Sequence, residues 1–502
     1  MQKQKIIGKF KNSACVQPNG SCIFSALLFL YKIVGNNTQN NLLRFILNQF
    51  LFIYLHNKNK LQFKMKIQEF SFGNFKSFKD IQTLNLSAAK IKSKKEEIDI
   101  NNVIEGNNNE NVSFLKSKAI YGANASGKSN VIKAFVSFIR IVRTSVKDEQ
   151  VLNYTESFRL STETENEPTF YQIIFWHKKI KYRYGFEADG ENITAEWLYG
   201  KPSDRELPFF VRDNQEVINI DKTNFSEGNK LLSLLDDDSD ENEIFRNNSL
   251  FLSTLATFGF GKLSKQLIDS FASISIISGL GHQGMYRYAG DSLNDNEKKK
   301  YILDFLKYGD IGIEDVNAIE ISSNDLPEDV DEDIRKDFDK KKRKLLISTR
   351  KKFDKNLVSN DTESFPFADH ESEGTQKLFE LSPFIYEALK HKKPIIIDEF
   401  DARFHPLLTR RILELFNSNK NSGSQLIFTT HDTNLLSSDL LRRDQIEFVE
   451  KDKYGASHIY SLVQFKGIRN TASFEKDYIQ GKYGAIPFLG DFSKLINTEE
   501  DA

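Results

Sequence analysis

Eight residues, Gly122-Ala123-Asn124-Ala125-Ser126-Gly127-Lys128-Ser129, constrain the fold of this chain more than any other stretch. They fit the spacing G-x-x-x-x-G-K-S. The glycines let the backbone wrap around phosphates so that its N–H groups point inward. Lys128 supplies a point charge for the β- and γ-phosphates, and the Ser129 hydroxyl suits Mg²⁺ ligation. Before the loop, residues 118–121 read as a short strand. After it, Val131, Ile132, Phe135, Phe138, Ile139 and Val142 fall at the spacing of one helix face. A glycine-rich turn between strand and helix puts the helix N-terminus at the phosphates. The expected fold is therefore α/β, with a nucleotide at the sheet's C-terminal edge.

A phosphate loop alone does not give hydrolysis. Ile395-Ile396-Ile397-Asp398-Glu399 supplies the second half: an apolar strand ending in two carboxylates. Asp398 is the expected holder of Mg²⁺ together with Ser129. Glu399 is then placed to orient or deprotonate the attacking water. Glu371-Ser372-Glu373-Gly374-Thr375 opens a helix predicted over 372–390, whose small residues and free N–H groups suit a γ-phosphate. Asp401 follows Glu399 by two residues. A helix over 406–416 leads to a strand over 425–429, and His431 stands just past it, where an imidazole can report a γ-phosphate. The expected catalytic set is Glu399, His431 and Lys128. Strand–helix–strand alternation with short links predicts a parallel sheet flanked by helices.

The chain has 502 residues, room for one large head with an insertion. Its net charge is −1, which predicts neither a large nucleic-acid footprint nor a membrane-surface binder. DNA binding is thus unsupported by charge, although a local patch remains open. The first 64 residues carry nine Lys/Arg and no Asp or Glu, whereas residues 65–502 carry 60 basic and 70 acidic residues. Three readings fit this extension: an over-extended start with Met65 as the natural first residue, a weak targeting element, or an accessory region. Its apolar runs, 23–34 and 42–55, are shorter than the ~20 residues of a spanning helix. Both cysteines, Cys15 and Cys22, lie here; two cannot make a disulfide framework, and a cytoplasmic location fits.

Alternating residues over 67–72 and 81–86 predict two strands, 91–112 reads as a loop, and 170–176 and 180–186 read as antiparallel strands. The polar stretch 200–245 includes the acidic run 236–243, and 328–344 reads as a charged helix surface. The expected division is a lobe over 65–200, a helical and charged insertion over 201–360, a second lobe over 361–490 and a tail over 491–502.

These residues resemble a known group. Residues 65–78, with Asn74-Phe75-Lys76-Ser77-Phe78, look like the opening strands of RecF/SMC/OLD-type ATPases. The phosphate loop, the 371–375 signature, Asp398-Glu399 and His431 match that superfamily in order. The separation of 270 positions from Lys128 to Asp398 suits its habit of a long insertion. Segments 425–436, 441–445, 460–465 and 482–487 resemble the AAA15-type ATP-binding proteins, including RloA and AbiL, associated with phage defence and abortive infection. The resemblance implies an ABC-like head that binds ATP and Mg²⁺. It places Lys76 and Ser77 near the nucleotide, Asn124 at the γ-phosphate and Asp401 at a dimer seam. Ser372 and Gly374 would act on the ATP of a second copy, in a homodimer or larger homo-oligomer. It further implies a separate effector, often a Toprim-type nuclease, because only 71 residues follow His431. Glu373 departs from the pattern, since transporters have glycine there. The glutamine that couples metal to conformation has only Gln172 as a candidate. An ATP-holding scaffold with little turnover and a RecF-like DNA-repair head are the rival readings.

Overall fold

The structure is a computed structural model that describes residues 65–106, 110–233, 246–280, 283–323, 331–332, 343–469, 472–487 and 490–492. The N-terminal extension with both cysteines, the acidic run 236–243 and most of 328–344 lie outside the described residues.

An antiparallel sheet opens the described chain. Strand β1 (Met65–Gly73) pairs with β2 (Gln82–Asn85). Next come β3 (Val103–Ile104) and β4 (Phe114–Leu115), a short ladder, and then β5 (Ser117–Tyr121). After the helix Lys128–Thr144 follows a meander of β6 (Thr169–His177), β7 (Ile180–Ala188), β8 (Ile193–Lys201), β9 (Leu207–Asp213) and β10 (Glu216–Ile220). The sheet order is β10-β9-β8-β7-β6-β1-β2, so β1 lies against β6 across about a hundred residues of chain.

The second sheet carries the site. It collects β5 with β11 (Ser275–Ser278), β15 (Ile395–Asp398), β16 (Leu426–Thr429), β17 (Ile446–Lys451) and β18 (Ser457–Ser461); strands β12 (Asp315–Ile321), β13 (Arg343–Phe353) and β14 (Ser359–Pro366) form a separate antiparallel sheet. Its order is β11-β15-β16-β5-β17-β18. The first five strands are parallel and β18 is antiparallel on the edge. Both faces of the central strands are covered, which is why β15 and β16 read as nearly continuous apolar runs. Ile120, Ile396, Ile427 and Val449 face one core, shared with the helix Lys128–Thr144 and the antiparallel sheet. Tyr121, Ile395, Ile397, Leu426 and Phe428 face the other, shared with the helices Glu373–His391 and Pro406–Phe416. Successive residues alternate between the cores because strand side chains have a period of two.

Two expectations need correction. The stretch 91–112 is not a bare loop: it holds the helix Glu96–Asn101 and β3. The segment 201–360 is mixed rather than largely helical. Among the described residues it holds five helices from Ser226 to Tyr308 and also β9, β10, β11, β12 and β13. In β13 the charge density of Arg343-Lys-Leu-Leu-Ile-Ser-Thr-Arg-Lys-Lys-Phe353 hides a strand whose Leu346 and Ser348 are buried. Pairing on both sides, with β12 and β14, decides the matter where local propensity does not.

His177, at the end of β6, is 2% exposed, and its Nδ1 lies 3.0 Å from Ser270 Oγ on the helix Lys262–Ala272. Burial, helped by the charge of Lys178, lowers its pKa to about 4. The unfolded chain protonates this ring near the ordinary value of about 6.5. The stabilisation is therefore full above about 6.5 and is lost as pH falls from there towards 4. We expect His177→Gln to flatten the fall of the urea midpoint between about pH 7 and pH 4.5. Equal slopes for the two proteins would refute this.

Candidate functional site

Strand order sets the geometry. One strand, β16, stands between the phosphate-loop strand β5 and the carboxylate strand β15. All three run parallel, so their C-terminal ends release residues 122–129, Asp398-Glu399 and His431 along one edge. There residues 124–129, Glu399 and His431 line a pocket of about 430 Å³ together with Asn130, Thr429 and Lys451.

Gly127 is the N-cap of the helix Lys128–Thr144 and has φ +116°. A Cβ built on it would stand 2.7 Å from Ser457 Oγ and 2.9 Å from Ser77 Oγ. The loop is thus clamped between β18 and the turn after β1, and only glycine fits both the space and the backbone. We expect Gly127→Val to weaken ATP binding at least tenfold by calorimetry; affinity within about twofold of the parent would show that the clamp does not shape the cradle.

Lys128 Nζ donates to the carbonyls of Gly122 and Ala123, both at 2.9 Å. Burial lowers its pKa to about 8, against the pull of Asp398, Asp401 and Glu399. Ser129 Oγ donates to Asp398 Oδ1 at 3.2 Å, so the two expected metal holders are already adjacent. Ser126 Oγ is buried, at 3% exposure, without a hydrogen-bond partner among the described residues. An orphaned hydroxyl inside a cradle that an added Cβ would fill fits a phosphate group.

Glu399 has φ +51°, strained for a non-glycine residue, at a cost of about 1–3 kcal/mol. The surroundings hold it there. Its N–H donates to Thr429 Oγ1 at 2.8 Å, and the same hydroxyl donates to Asp398 Oδ1. Gly279, just past β11, donates its N–H to Asp398 O at 2.6 Å. The Asp401 carboxylate accepts the His431 N–H at 3.3 Å from both oxygens. Partial burial, followed by the charge of Lys128, lowers the pKa of the His431 ring and keeps it neutral near neutral pH.

The structure thus gathers residues 122–129, Asp398, Glu399, Asp401 and His431. Ser77 joins them by accepting from Asn130 Nδ2 at 2.9 Å and meeting Ser457 Oγ at 2.9 Å. Lys76 is ion-paired with Glu156. Ser372 caps the helix Glu373–His391 by accepting from Thr375 N at 3.2 Å. Neither Ser372 nor Gly374 lines the pocket. Gln172 sits on β6, where its Oε1 accepts from Trp197 Nε1 at 3.2 Å, away from the pocket lining. Sequence reasoning missed Thr429, Asn130, Lys451 and Gly279. Thr429 and Lys451 had a signal, a polar residue at the end of an apolar strand. Gly279 had none.

The phosphate loop, the carboxylate strand with one strand between them, and the histidine at the end of that middle strand define a P-loop ATPase site. More closely, residues 119–437 match the family described as "AAA domain, putative AbiEii toxin, Type IV TA system", and the chain belongs to that family. Among solved structures it is similar to the SMC head domain from Thermotoga maritima, at 13% identity and a TM-score of 0.37, over 79% of this chain and 98% of that one. It is also similar to the Smc head domain bound to the C-terminal domain of ScpA from Pyrococcus furiosus, at 14% identity and 0.35, over 83% and 99%. No curated protein matches it in sequence. Among the described residues no helix is long and apolar enough to cross a membrane, and no group of three or more His, Cys, Asp or Glu side chains could hold a metal by itself.

Proposed function

We infer that the chain is an ATP hydrolase whose active site is completed by a second copy, so that ATP controls assembly. One observation carries this reading: the signature residues Ser372 and Glu373 are exposed and lie outside the pocket that holds Glu399 and His431. Helix N–H groups that are to meet a γ-phosphate from there would meet that of another copy.

Lys128 and the loop amides bind the phosphates. Ser129 and Asp398 would hold Mg²⁺, which when bound neutralises charge between the β- and γ-phosphates; one or two protein oxygens suffice for it in such sites. Glu399 orients the attacking water and takes its proton. His431, neutral and with its backbone N–H on Asp401, hydrogen-bonds the γ-phosphate and senses its loss.

Sedimentation is the test. With ATP and Mg²⁺ the Glu399→Gln protein should run as a dimer, and with ADP or after Ser372→Arg as a monomer. A monomer under all conditions would sink the composite site.

We further propose a role as the sensor ATPase of a bacterial anti-phage, abortive-infection system, in keeping with the AbiEii and type IV TA wording of the family description. A separate effector, such as a Toprim-type nuclease, then acts on the closed state. Protection of cells by this chain with its neighbouring reading frame should vanish with Lys128→Ala. Protection that survives that change would rule the ATPase out as the sensor.

A further inference from the structure

Two groups on the signature helix reach the turn that carries the catalytic carboxylate of the same chain. Lys377 lies one turn into the helix Glu373–His391 and is 2% exposed. Its Nζ donates to the carbonyls of Phe400 at 2.8 Å, Glu399 at 3.5 Å and Ala402. It also sits 4.1 Å from the centre of the Phe404 ring. Glu373, the residue that departs from the transporter pattern, pairs with Arg403 Nε at 3.2 Å. Gly374 is pressed on the same turn, since a Cβ there would stand 2.8 Å from Arg403 O.

These contacts are economical neither for stability nor for packing. An apolar residue at 377 would avoid desolvating an ammonium. The Glu373–Arg403 pair is exposed at 71% and 40%, so it contributes little to folding. What the contacts do share is their target. All of them land on residues 399–404, which include strained Glu399 and the Asp401 that holds His431.

We propose that Lys377, with Glu373 and Arg403, is a positioning device that couples the signature to the catalytic turn of its own chain. Engagement of Ser372 and Gly374 by a partner's nucleotide then sets Glu399 and Asp401 in the opposite site of the pair. The two sites are thereby made to fire together. This rests on the composite site proposed above.

Mixed pairs separate the possibilities. An excess of Glu399→Gln heads is mixed with a small amount of test heads, so that turnover comes only from the test head's own Glu399. With Lys377→Met on the test head, turnover should fall at least tenfold, with the ATP-driven pair still formed. With Arg403→Gln, an exposed change that leaves the buried lysine in place and guards against misfolding, it should fall at least threefold. Moving Lys377→Met to the Glu399→Gln head instead should leave turnover within twofold of the parent, because the signature itself is untouched. A merely structural lysine would not show this asymmetry between the two placements. Hydrogen exchange gives a readout free of turnover: pairing should slow the amides of 399–404 in the parent, and not in the variants. Equal effects from both placements, or parent-like turnover and protection in both variants, overturn the device. If the parent heads fail to pair with ATP at all, the composite site falls first and the device with it.

Discussion

Glu399→Gln should bind ATP with an affinity within about threefold of the parent while its single-turnover hydrolysis falls by roughly 100- to 10 000-fold, the range of a positioned general base. That loss corresponds to about 2.7–5.5 kcal/mol of transition-state stabilisation. The variant is a clean probe because of how the residue is held. Its backbone is fixed through its N–H on Thr429 Oγ1 and its carbonyl on Lys377 Nζ, and glutamine keeps both. Only the carboxylate's charge and proton affinity change. The phosphate cradle lies two strands away on β5 and is untouched. Quenched-flow measurement of a single turnover is the check. A rate within threefold of the parent would remove Glu399 from the chemistry, and Asp401 would be the next candidate by proximity.

A second large effect is expected at a residue with no chemistry of its own. Gly279→Val should abolish turnover, by at least about a hundredfold, while ATP affinity stays within about tenfold of the parent. A Cβ at this position would stand 1.9 Å from the carbonyl oxygen of Glu399 and 2.7 Å from that of Asp398. Both are backbone atoms, so no side-chain rotation relieves the clash. The register, Ser278 opposite Asp398, pins β11 against the very end of the carboxylate strand. The catalytic turn must move, and with it Glu399. Parent-like turnover would mean that β11 can slide without disturbing the turn.

Comparing these two residues shows what could be read from the chain. Glu399 was visible because its role follows from local order: three isoleucines make a buried strand, and the residues after them emerge at the sheet edge. The same holds for residues 122–129 and for His431. Lys377 and Gly279 were invisible for a different reason. Lys377 lies in a helical stretch where lysine is ordinarily a solvated surface residue, and only the packing of that helix against 399–402 makes it buried. Gly279 lies in a stretch with no motif, and its demand for a missing side chain comes from a strand more than a hundred residues away. The mixed character of 201–360 was hidden similarly, since β11 and β13 are strands because of their neighbours and not because of their composition.

The sequence by itself determined the nucleotide chemistry. Phosphate loop, carboxylate strand and strand-end histidine are each a single continuous run, and backbone geometry within a run is a local property. The tertiary structure decided which elements restrain that chemistry: β16 between β5 and β15, β11 on the catalytic turn, the turn after β1 and β18 on the phosphate loop, and the signature helix tied to residues 399–403. Those restraints are contacts between runs, and contacts between runs exist only once the order of strands in the sheet is set.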